Sequence, residues 1–321
     1  MSAASASARS RSPRGRQNGK ASTPEQQQKD RILVVDFGSQ VSHLICRRVR
    51  EANVYCELRS CLVKAEEVME FNPTGVILSG GPHSVYDADG PHLKQEVWKL
   101  VQERQLPVLG ICYGLQEMCH TLGGAVEPGT KREFGHAEVQ VSGSKLFSNI
   151  KAGDNGLVKV WMSHGDKVTK LPAGFQKIAH TPSCEFAAVE NLEMKMWGVQ
   201  FHPEVTHTPC GAQLIKNFVQ NICGCKGEWT MQDFARSQAD SIVARLGDKY
   251  CIGAVSGGVD SSVAAALLHR AVGDRFRPFL VDTGLLRKDE AKEVKERLEK
   301  HIDGLQLKVI DAREKFYTEL A

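Results

Sequence analysis

Long hydrophobic runs are missing from this sequence of 321 residues. No stretch approaches the roughly 18 consecutive apolar residues that a membrane helix needs, and no apolar signal-peptide segment follows Met1. Both absences predict that the chain is neither a membrane protein nor a Sec-exported one. Hydrophobic residues make up 41% of the chain and charged residues 25%, which is ordinary for a globular protein.

The ten cysteines show no regular spacing. Without a signal peptide or such a spacing, they are interpreted as reduced thiols of a cytosolic or nuclear protein, and a disulfide framework is not expected. We therefore expect a cytosolic location.

The first 24 positions contain five cations and no acidic residue, so their net charge is +5. The net charge of the whole chain is +3, and the other 297 residues therefore have a net charge of −2. A nearly neutral folded part argues against nucleic-acid binding. Residues 1–30 also lack aromatic side chains and almost all large aliphatic ones, which predicts a disordered basic tail. An Arg- and Ser-rich start also fits an organellar transit peptide, although no apolar helical face is visible in it.

Short apolar runs and amphipathic segments alternate from Arg31 onward, which is typical of βαβ units. The runs predicted as buried parallel strands are Ile32–Asp36, Gly75–Ser79 and Pro107–Ile111, and the helical segments are Gln40–Arg50 and His92–Arg104. Short strands such as Leu157–Met162 and Met196–Phe201 are predicted between residues 138 and 200. They indicate a mixed sheet or an antiparallel insert.

A break at Gly224–Glu228 separates a second α/β pattern from the first. Its predicted helices are Met231–Leu246, Val259–His269 and Arg287–His301, and its predicted strands are Tyr250–Val255, Phe276–Asp282 and Leu305–Asp311. The length also favours two domains. We predict a first domain at residues 31–222, a linker at 223–230 and a second domain at 231–321, which reads as incomplete at Ala321.

The sequence Gly110-Ile111-Cys112-Tyr113-Gly114 follows an apolar run and precedes a predicted helix. Flanking glycines permit the tight strand-to-helix turn of a nucleophile elbow, and the start of the helix favours the thiolate form of Cys112. The alternative is that Cys112 is one more buried cysteine.

His202 and Glu204 lie two residues apart after another apolar run, so their side chains point to the same side of an extended chain. Glu204 could orient the imidazole of His202, which would deprotonate Cys112 and later protonate a leaving amine. A lone His at the end of a strand is more often structural, but a His-x-Glu paired with the elbow favours catalysis.

Acyl transfer also needs donors for an oxyanion. The loop Ser79-Gly80-Gly81-Pro82 could offer the N–H of Gly81 beside that of Tyr113, although Gly-Gly-Pro is equally consistent with a simple turn.

Together these motifs, with the opening Val35–Gln40 and the segment Met162–Asp166, resemble a class I, triad-type glutamine amidotransferase domain over residues 31 to 222. The resemblance implies a flavodoxin-like α/β fold with a mixed sheet. It further implies that Cys112 attacks the amide of glutamine and releases ammonia. The residues that it implies hold the bound glutamine are Gln116, Ser163, His164, Gly165 and Asp166.

A glycine- and hydroxyl-rich loop, Ser256-Gly257-Gly258-Val259-Asp260-Ser261-Ser262, precedes an Ala- and Leu-rich helix. Such a loop suits phosphate oxygens, since its glycines let the backbone approach and the helix start is electropositive. It is similar to the signature of the N-type ATP pyrophosphatases. That resemblance implies a partial, doubly wound, adenine nucleotide alpha hydrolase-like domain, in which the loop holds pyrophosphate, Asp260 lies near Mg²⁺, and Asp282 and Arg287 belong to a second motif. A Gly-Gly turn with a Ser N-cap, and a strand-end Asp with a helix-start Arg, are the structural alternatives.

The order of the two motifs resembles the glutamine-hydrolysing GMP synthetases, which are carbon–nitrogen ligases of purine biosynthesis with glutamine as amido donor. The resemblance implies glutamine, ATP and xanthosine monophosphate as substrates, Mg²⁺ bound with ATP, no organic prosthetic group, and a homodimer formed through a C-terminal domain beyond Ala321. A weakly active or silent fragment that acts as a binding or regulatory protein is the alternative.

Overall fold

The structure is a computed structural model that describes residues 30–321, without the side chains of residues 130–132. Its first part alternates strands and helices. In chain order these are β1 (Arg31–Asp36), α1 (Ser42–Glu51), β2 (Tyr55–Ser60), α2 (Ala65–Phe71), β3 (Gly75–Leu78), α3 (Gln95–Glu103), β4 (Val108–Ile111) and α4 (Tyr113–Thr121).

A set of mainly antiparallel strands follows. It consists of β5 (Ala125–Val141), β6 (Val158–Lys170), β7 (Gln176–His180), β8 (Ala188–Asn191), β9 (Met196–Val199) and then α5 (Gly211–Lys216), which continues into a π-helical turn at Asn217–Ile222. The strand order is β2-β1-β3-β4-β9-β8-β7-β5-β6. The pairs from β2 to β9 are parallel and the rest are antiparallel, which confirms the predicted mixed sheet.

Apolar cores cover both faces of this sheet. Along β1, Ile32 and Val34 pack into one core, and Leu33 and Val35 pack into the other. Because successive side chains of a strand point to opposite faces, a strand covered on both sides must be apolar throughout. This is why the parallel strands could be recognised as continuous runs.

The second part is a smaller α/β unit. It comprises α6 (Met231–Leu246), β10 (Cys251–Ala254), α7 (Val259–Val272), β11 (Phe276–Asp282), α8 (Glu290–His301), β12 (Lys308–Asp311) and α9 (Arg313–Leu320). The three strands are parallel in the order β10-β11-β12. Thr230 caps α6, since its hydroxyl accepts a hydrogen bond of 3.2 Å from the N–H of Asp233.

Several elements differ from the sequence-based expectation. The strand β2 and the helices α2 and α9 were not predicted, and β5 and β6 form a long hairpin where short strands were expected. β2 lies at the edge of the sheet, and its sequence Tyr-Cys-Glu-Leu-Arg-Ser mixes polar and apolar residues, so it lacks the continuous apolar pattern of a central strand.

The predicted linker packs on the first unit. The N–H of Trp229 donates to the carbonyl oxygen of Asn53 at 3.0 Å, and the indole lies 6.0 Å from the ring of Tyr55. Most of the predicted tail, residues 1–29, lies outside the described residues; Asp30 accepts a hydrogen bond of 2.6 Å from the N–H of Lys226. Among residues 30–321, no helix is both long enough and apolar enough to cross a membrane.

Candidate active site

Cys112 lies at a tight turn between β4 and α4. Its φ angle is +51°, a left-handed conformation that is uncommon for a residue other than glycine. The flanking glycines are required by close packing: a Cβ at Gly110 would lie 2.6 Å from the carbonyl oxygen of Gly114, and one at Gly114 would lie 2.4 Å from that of Leu78. The turn therefore has the geometry of a nucleophile elbow, with Cys112 at the start of a helix.

His202 and Glu204 are buried beside Cys112. The Nδ1 of His202 and the Oε1 of Glu204 are 2.8 Å apart, and the side chain of Cys112 is close enough to raise the pKa of the imidazole. Thr208 fixes the backbone here, because its hydroxyl donates to the carbonyl oxygen of His202 at 2.7 Å. The three predicted catalytic residues thus lie together in one buried cluster.

The electrostatics of this cluster favour a charged imidazole. Burial of the ring would lower its pKa, but the neighbouring side chains of Cys112 and Glu204, together with their charges, raise the pKa of His202 to about 11. A protonated His202 next to the cysteine is the partner that an activated thiolate requires.

The glycine loop after β3 lies against the elbow. A Cβ added at Gly80 would lie 3.2 Å from Cε1 of His202, and one at Gly81 would lie 2.9 Å from the carbonyl oxygen of Phe37. The hydroxyl of Ser79 donates to the carbonyl oxygen of Gly80 at 2.8 Å. These contacts require glycine and fix the loop.

Tyr113, the second expected oxyanion donor, is the first residue of α4. In the first turn of α4 the N–H groups of Gly114, Leu115 and Gln116 donate to the carbonyl oxygens of Ser79 and Cys112. The first N–H groups of a helix have no acceptor within the helix. Because Tyr113 is the first residue of α4, its N–H has no acceptor within that helix.

Gln200 is a site residue that sequence reasoning missed. It is fully buried, and its Nε2 donates to the sulfur of Cys112 at 3.6 Å while its Oε1 accepts from Nε2 of Gln116 at 3.3 Å. Gln116 also donates to the carbonyl oxygen of Asp166 at 3.0 Å. A polar residue between the apolar run of β9 and the His-x-Glu turn was the available signal.

The segment expected to hold glutamine lies on β6, across from Cys112. The sulfur of Cys112 is 3.7 Å from the carbonyl oxygen of Ser163, and Gly165 follows on the same strand. The carboxylate of Asp166 accepts hydrogen bonds from the hydroxyls of Ser84 and, at 2.8 Å, of Tyr86. His164 instead points away toward Glu133, at 3.0 Å between Nε2 and Oε2.

The second predicted loop joins β10 to α7. Gly257 has a φ of +80°, Gly258 precedes the first residue of the helix, and the hydroxyl of Ser262 donates to the carbonyl oxygen of Gly258 at 2.7 Å. The hydroxyls of Ser256 and Ser261 lie 3.2 Å apart. Val259 is 80% exposed, so the loop and the N-terminus of a 14-residue helix open to solvent.

The two acidic residues predicted to bind the nucleotide, Asp260 and Asp282, lie at or just after the carboxyl ends of neighbouring parallel strands. Asp260 is exposed in the first turn of α7, and Asp282 ends β11, where its Oδ1 accepts the N–H of Gly284 at 2.9 Å. Arg287 donates its N–H to Glu290 at 2.8 Å. Carboxylate and hydroxyl oxygens with helix N–H groups suit a Mg²⁺–phosphate ligand, so the residues present fit the implied ion.

Comparison with known proteins agrees with this geometry. The family described as Glutamine amidotransferase class-I matches residues 33–222. The GMP synthase [glutamine-hydrolyzing] of Neisseria meningitidis serogroup B is 49% identical over 292 residues, covering 91% of this chain and 55% of that protein. The corresponding protein of Chromobacterium violaceum is 51% identical over 298 residues, with the same shares.

A solved structure shares the fold of the first unit. A protein from Thermoplasma acidophilum, described as a GMP synthase subunit, matches with a TM-score of 0.52 and 29% identity, covering 61% of this chain and 94% of that one. The chain spans about half the length of the full relatives that it matches.

Fold and site together define an α/β protein with a buried Cys-His-Glu cluster at a nucleophile elbow. The chain belongs to the class I glutamine amidotransferase family. The similarity to GMP synthases extends further, because an alignment of 292 residues is too long to end before residue 223 and includes part of the second unit.

Proposed function

We propose that the first unit hydrolyses glutamine. The observation that carries this proposal is the buried cluster of Cys112, His202 and Glu204, in which His202 and Glu204 are hydrogen-bonded and Cys112 lies at the elbow. The thiolate attacks the carbon of the side-chain amide, and the N–H groups of Gly81 and Tyr113 stabilise the resulting oxyanion.

His202 transfers protons in both halves of this reaction. As an imidazolium it protonates the leaving nitrogen, so that ammonia departs and a glutamyl thioester on Cys112 remains. As a neutral base it then takes a proton from water, whose oxygen attacks the thioester and releases glutamate and the thiolate. Buried Glu204 accepts a hydrogen bond from Nδ1 of His202 throughout the reaction. This bond keeps the hydrogen on Nδ1 and orients the other ring nitrogen toward the sulfur.

We further propose that the ammonia serves the synthesis of GMP. Xanthosine monophosphate, ATP, glutamine and water would give GMP, AMP, pyrophosphate and glutamate. The similarity to GMP synthases supports this reaction, and the loop of residues 256–262 supports a nucleotide site in the second unit. There the loop would bind pyrophosphate, and Mg²⁺ held with Asp260 would neutralise phosphate charge.

A binding or regulatory protein without catalysis is not favoured. Such a protein has no need of a Cys-His-Glu cluster, whereas here all three residues are present and buried, and His202 is bonded to Glu204.

The test is a glutaminase assay on the chain and on Cys112→Ala. Removal of the sulfur leaves no nucleophile, so we expect glutamate release to fall to the background rate. Cys210→Ala is the control, since Cys210 lies at the start of α5 and should leave the rate within about twofold. Equal rates in the chain and in Cys112→Ala would contradict the proposal.

A further inference from the structure

Three side chains with metal-binding atoms meet behind the strand that carries Ser163 and Asp166. Glu133 on β5 and His164 on β6 are directly paired across the hairpin, and Cys184 lies in the connection between β7 and β8. The carboxylate oxygen, imidazole nitrogen and sulfur all lie within 4.8 Å of one another. Side-chain exposure is 4% for His164 and 14% for Glu133, and Cys184 is 1% exposed.

The hydrogen bonds of His164 leave one ring nitrogen without a proton. Nδ1 lies 2.9 Å from the carbonyl oxygen of Asp166, which can only accept, so Nδ1 carries the hydrogen. With that hydrogen on Nδ1, the lone pair of the ring lies on Nε2.

That lone pair faces a carboxylate. Nε2 of His164 lies 3.0 Å from Oε2 of Glu133, yet neither atom has a hydrogen-bond partner among residues 30–321. Two buried acceptors at this distance are unfavourable unless a positive charge lies between them. A proton shared by Nε2 of His164 and Oε2 of Glu133 would supply that positive charge. It would give no role to the sulfur of Cys184, which lies beside both atoms.

The surrounding contacts orient the three groups as ligands. The hydroxyl of Ser183 donates to Oε1 of Glu133 and leaves Oε2 free, and the N–H of Cys184 donates to the hydroxyl of Thr181 at 2.8 Å, which fixes the turn. A histidine whose second nitrogen donates to a backbone carbonyl, and a carboxylate that is itself hydrogen-bonded, are typical of metal sites.

We propose that Glu133, His164 and Cys184 bind one divalent transition-metal ion of the Zn²⁺ class. Thiolate, imidazole and carboxylate are the ligands that Zn²⁺ takes, and three protein ligands leave a fourth position for water. Bond lengths of about 2.0–2.3 Å place tetrahedral ligand atoms roughly 3.3–3.7 Å apart, so small side-chain rotations close the site.

The ion displaces the thiol proton to solvent as the metal–sulfur bond forms. The carbonyl oxygen of Asp166 accepts hydrogen bonds from both His164 and Gln116. An ion bound to His164 would therefore restrict the motion of the strand that lines the proposed glutamine site.

Two other places must be distinguished from this site. The first is the proposed catalytic pair Cys112 and His202, which also combines a sulfur with an imidazole, and the second is a more exposed group of His92, Glu117 and His120 whose ligand atoms lie close together. The second group has no sulfur, and the first uses a different cysteine. A probe of the metal–thiolate bond combined with cysteine variants therefore separates the three.

The experiment is a titration of the whole chain with Co²⁺, read by the thiolate-to-cobalt absorption in the near ultraviolet, followed by competition with Zn²⁺. We expect one equivalent of Co²⁺ to give the band and Zn²⁺ to remove it. Cys184→Ala should lose the band, and Cys112→Ala and the double variant His92→Ala/His120→Ala should keep it. Glu133→Gln should weaken Co²⁺ binding by about 10- to 100-fold.

Circular dichroism and thermal unfolding of each variant establish that it is folded. If Cys184→Ala does not fold, Glu133→Gln decides the question, because glutamine keeps an oxygen for Ser183 and removes the charge. The proposal is overturned if the chain gives no thiolate band, or if Cys112→Ala loses the band and Cys184→Ala keeps it. It is also overturned if Glu133→Gln binds Co²⁺ as tightly as the parent.

Discussion

At the scale of the residue, the site depends on a charge that burial would ordinarily remove. His202 is 8% exposed, and its ring nevertheless holds a proton because the sulfur and the carboxylate lie on either side of it. The low dielectric constant of the interior strengthens the attraction between these charges, and it also penalises a charge that has no partner. The site is therefore sensitive to the charge of each partner as well as to its shape.

Glu204→Gln should move the alkaline limit of glutaminase activity to lower pH. With Glu204 present, the imidazolium persists up to a pKa of about 11, and activity falls as pH rises through that value. Glutamine still accepts a hydrogen bond from Nδ1 but carries no charge, so the pKa of His202 should fall by roughly 1–3 units. The pH profile of kcat/KM measures this shift.

The matched control for that shift is Glu127→Gln, which removes an exposed carboxylate from β5. Its alkaline limit should coincide with that of the parent. An unchanged limit in Glu204→Gln as well would show that the charge of Glu204 does not act on His202.

Asp260→Ala should weaken the binding of Mg²⁺–ATP and leave glutamine hydrolysis within about twofold. The carboxylate lies in the first turn of α7, where only a metal ion makes it favourable beside phosphates, and loss of such a ligand costs about 10- to 100-fold in affinity. Isothermal titration calorimetry with Mg²⁺–ATP measures the effect. Asp274→Ala, an exposed acid at the other end of the same helix, is the control, and equal affinities of the two variants would contradict the role.

Single residues differ in how well the sequence predicts them. Cys112, His202 and Glu204 could be predicted because each lies in a local pattern, an elbow or a strand-end pair. Gln200 and Glu133 could not, since their contacts depend on which strands become neighbours: Gln200 meets Cys112 across β4 and β9, and Glu133 meets His164 across a hairpin. The irregular pairing between Pro128 and Glu133 hides that register further.

At the scale of the element, the turn between β4 and α4 is held by contacts too close for any side chain. Gly114 packs directly on the backbone of β3, and its N–H donates to the carbonyl oxygen of Ser79. The same glycine thus joins the elbow to the loop that carries Gly80 and Gly81. A substitution at Gly114 should therefore change both the position of Cys112 and its activity as a nucleophile.

Gly114→Ala should both destabilise the protein and inactivate the site. The added Cβ would lie 2.4 Å from the carbonyl oxygen of Leu78, and such overpacking costs about 1–3 kcal/mol. We expect a lower midpoint in urea denaturation and at least a tenfold loss of glutaminase rate. At Gly143 a Cβ would meet no atom within 4 Å, so Gly143→Ala should change neither, and similar behaviour of both variants would count against the packing argument.

Elements were predictable where burial imposed a simple pattern. β1, β3 and β4 are buried on both faces and were expected within one or two residues, and β11, the middle strand of the second sheet, was expected with its observed ends. The helix α6 buries only Ala239 but was also expected with its observed ends, because Thr230 caps its start and Gly247 follows its end. Edge strands and exposed helices follow weaker patterns, because solvent accepts polar and apolar residues alike on their outer faces. This explains why β2, α2 and α9 were missed.

At the scale of the whole molecule, the two units differ in how much apolar surface they bury. The sheet of the first unit has a core on each face, whereas the three-stranded sheet has one core of nine buried residues. Several large apolar side chains of the second unit remain exposed, among them Ile252 at 75%, Tyr250 at 65% and Val263 at 61%. Since burial of apolar surface is the main favourable term in folding, the second unit should be the less stable one.

The chain should accordingly unfold in two steps in urea, with the second unit first. Trp98, Trp161 and Trp197 lie in the first unit, whereas the ring of Trp229 in the linker also lies 6.1 Å from that of Phe234 on α6. The fluorescence of a Trp229→Phe variant therefore reports the first unit, while far-ultraviolet circular dichroism reports both. We expect part of the dichroism signal, but not the fluorescence or the glutaminase activity, to change at the lower urea concentration. Phe276→Ala removes a ring from the smaller core and should shift only the first step, by roughly 3–5 kcal/mol, whereas Phe218→Ala, in a core of the first unit, should shift only the second. A single transition seen at the same urea concentration by both signals would show instead that the two units fold as one cooperative body.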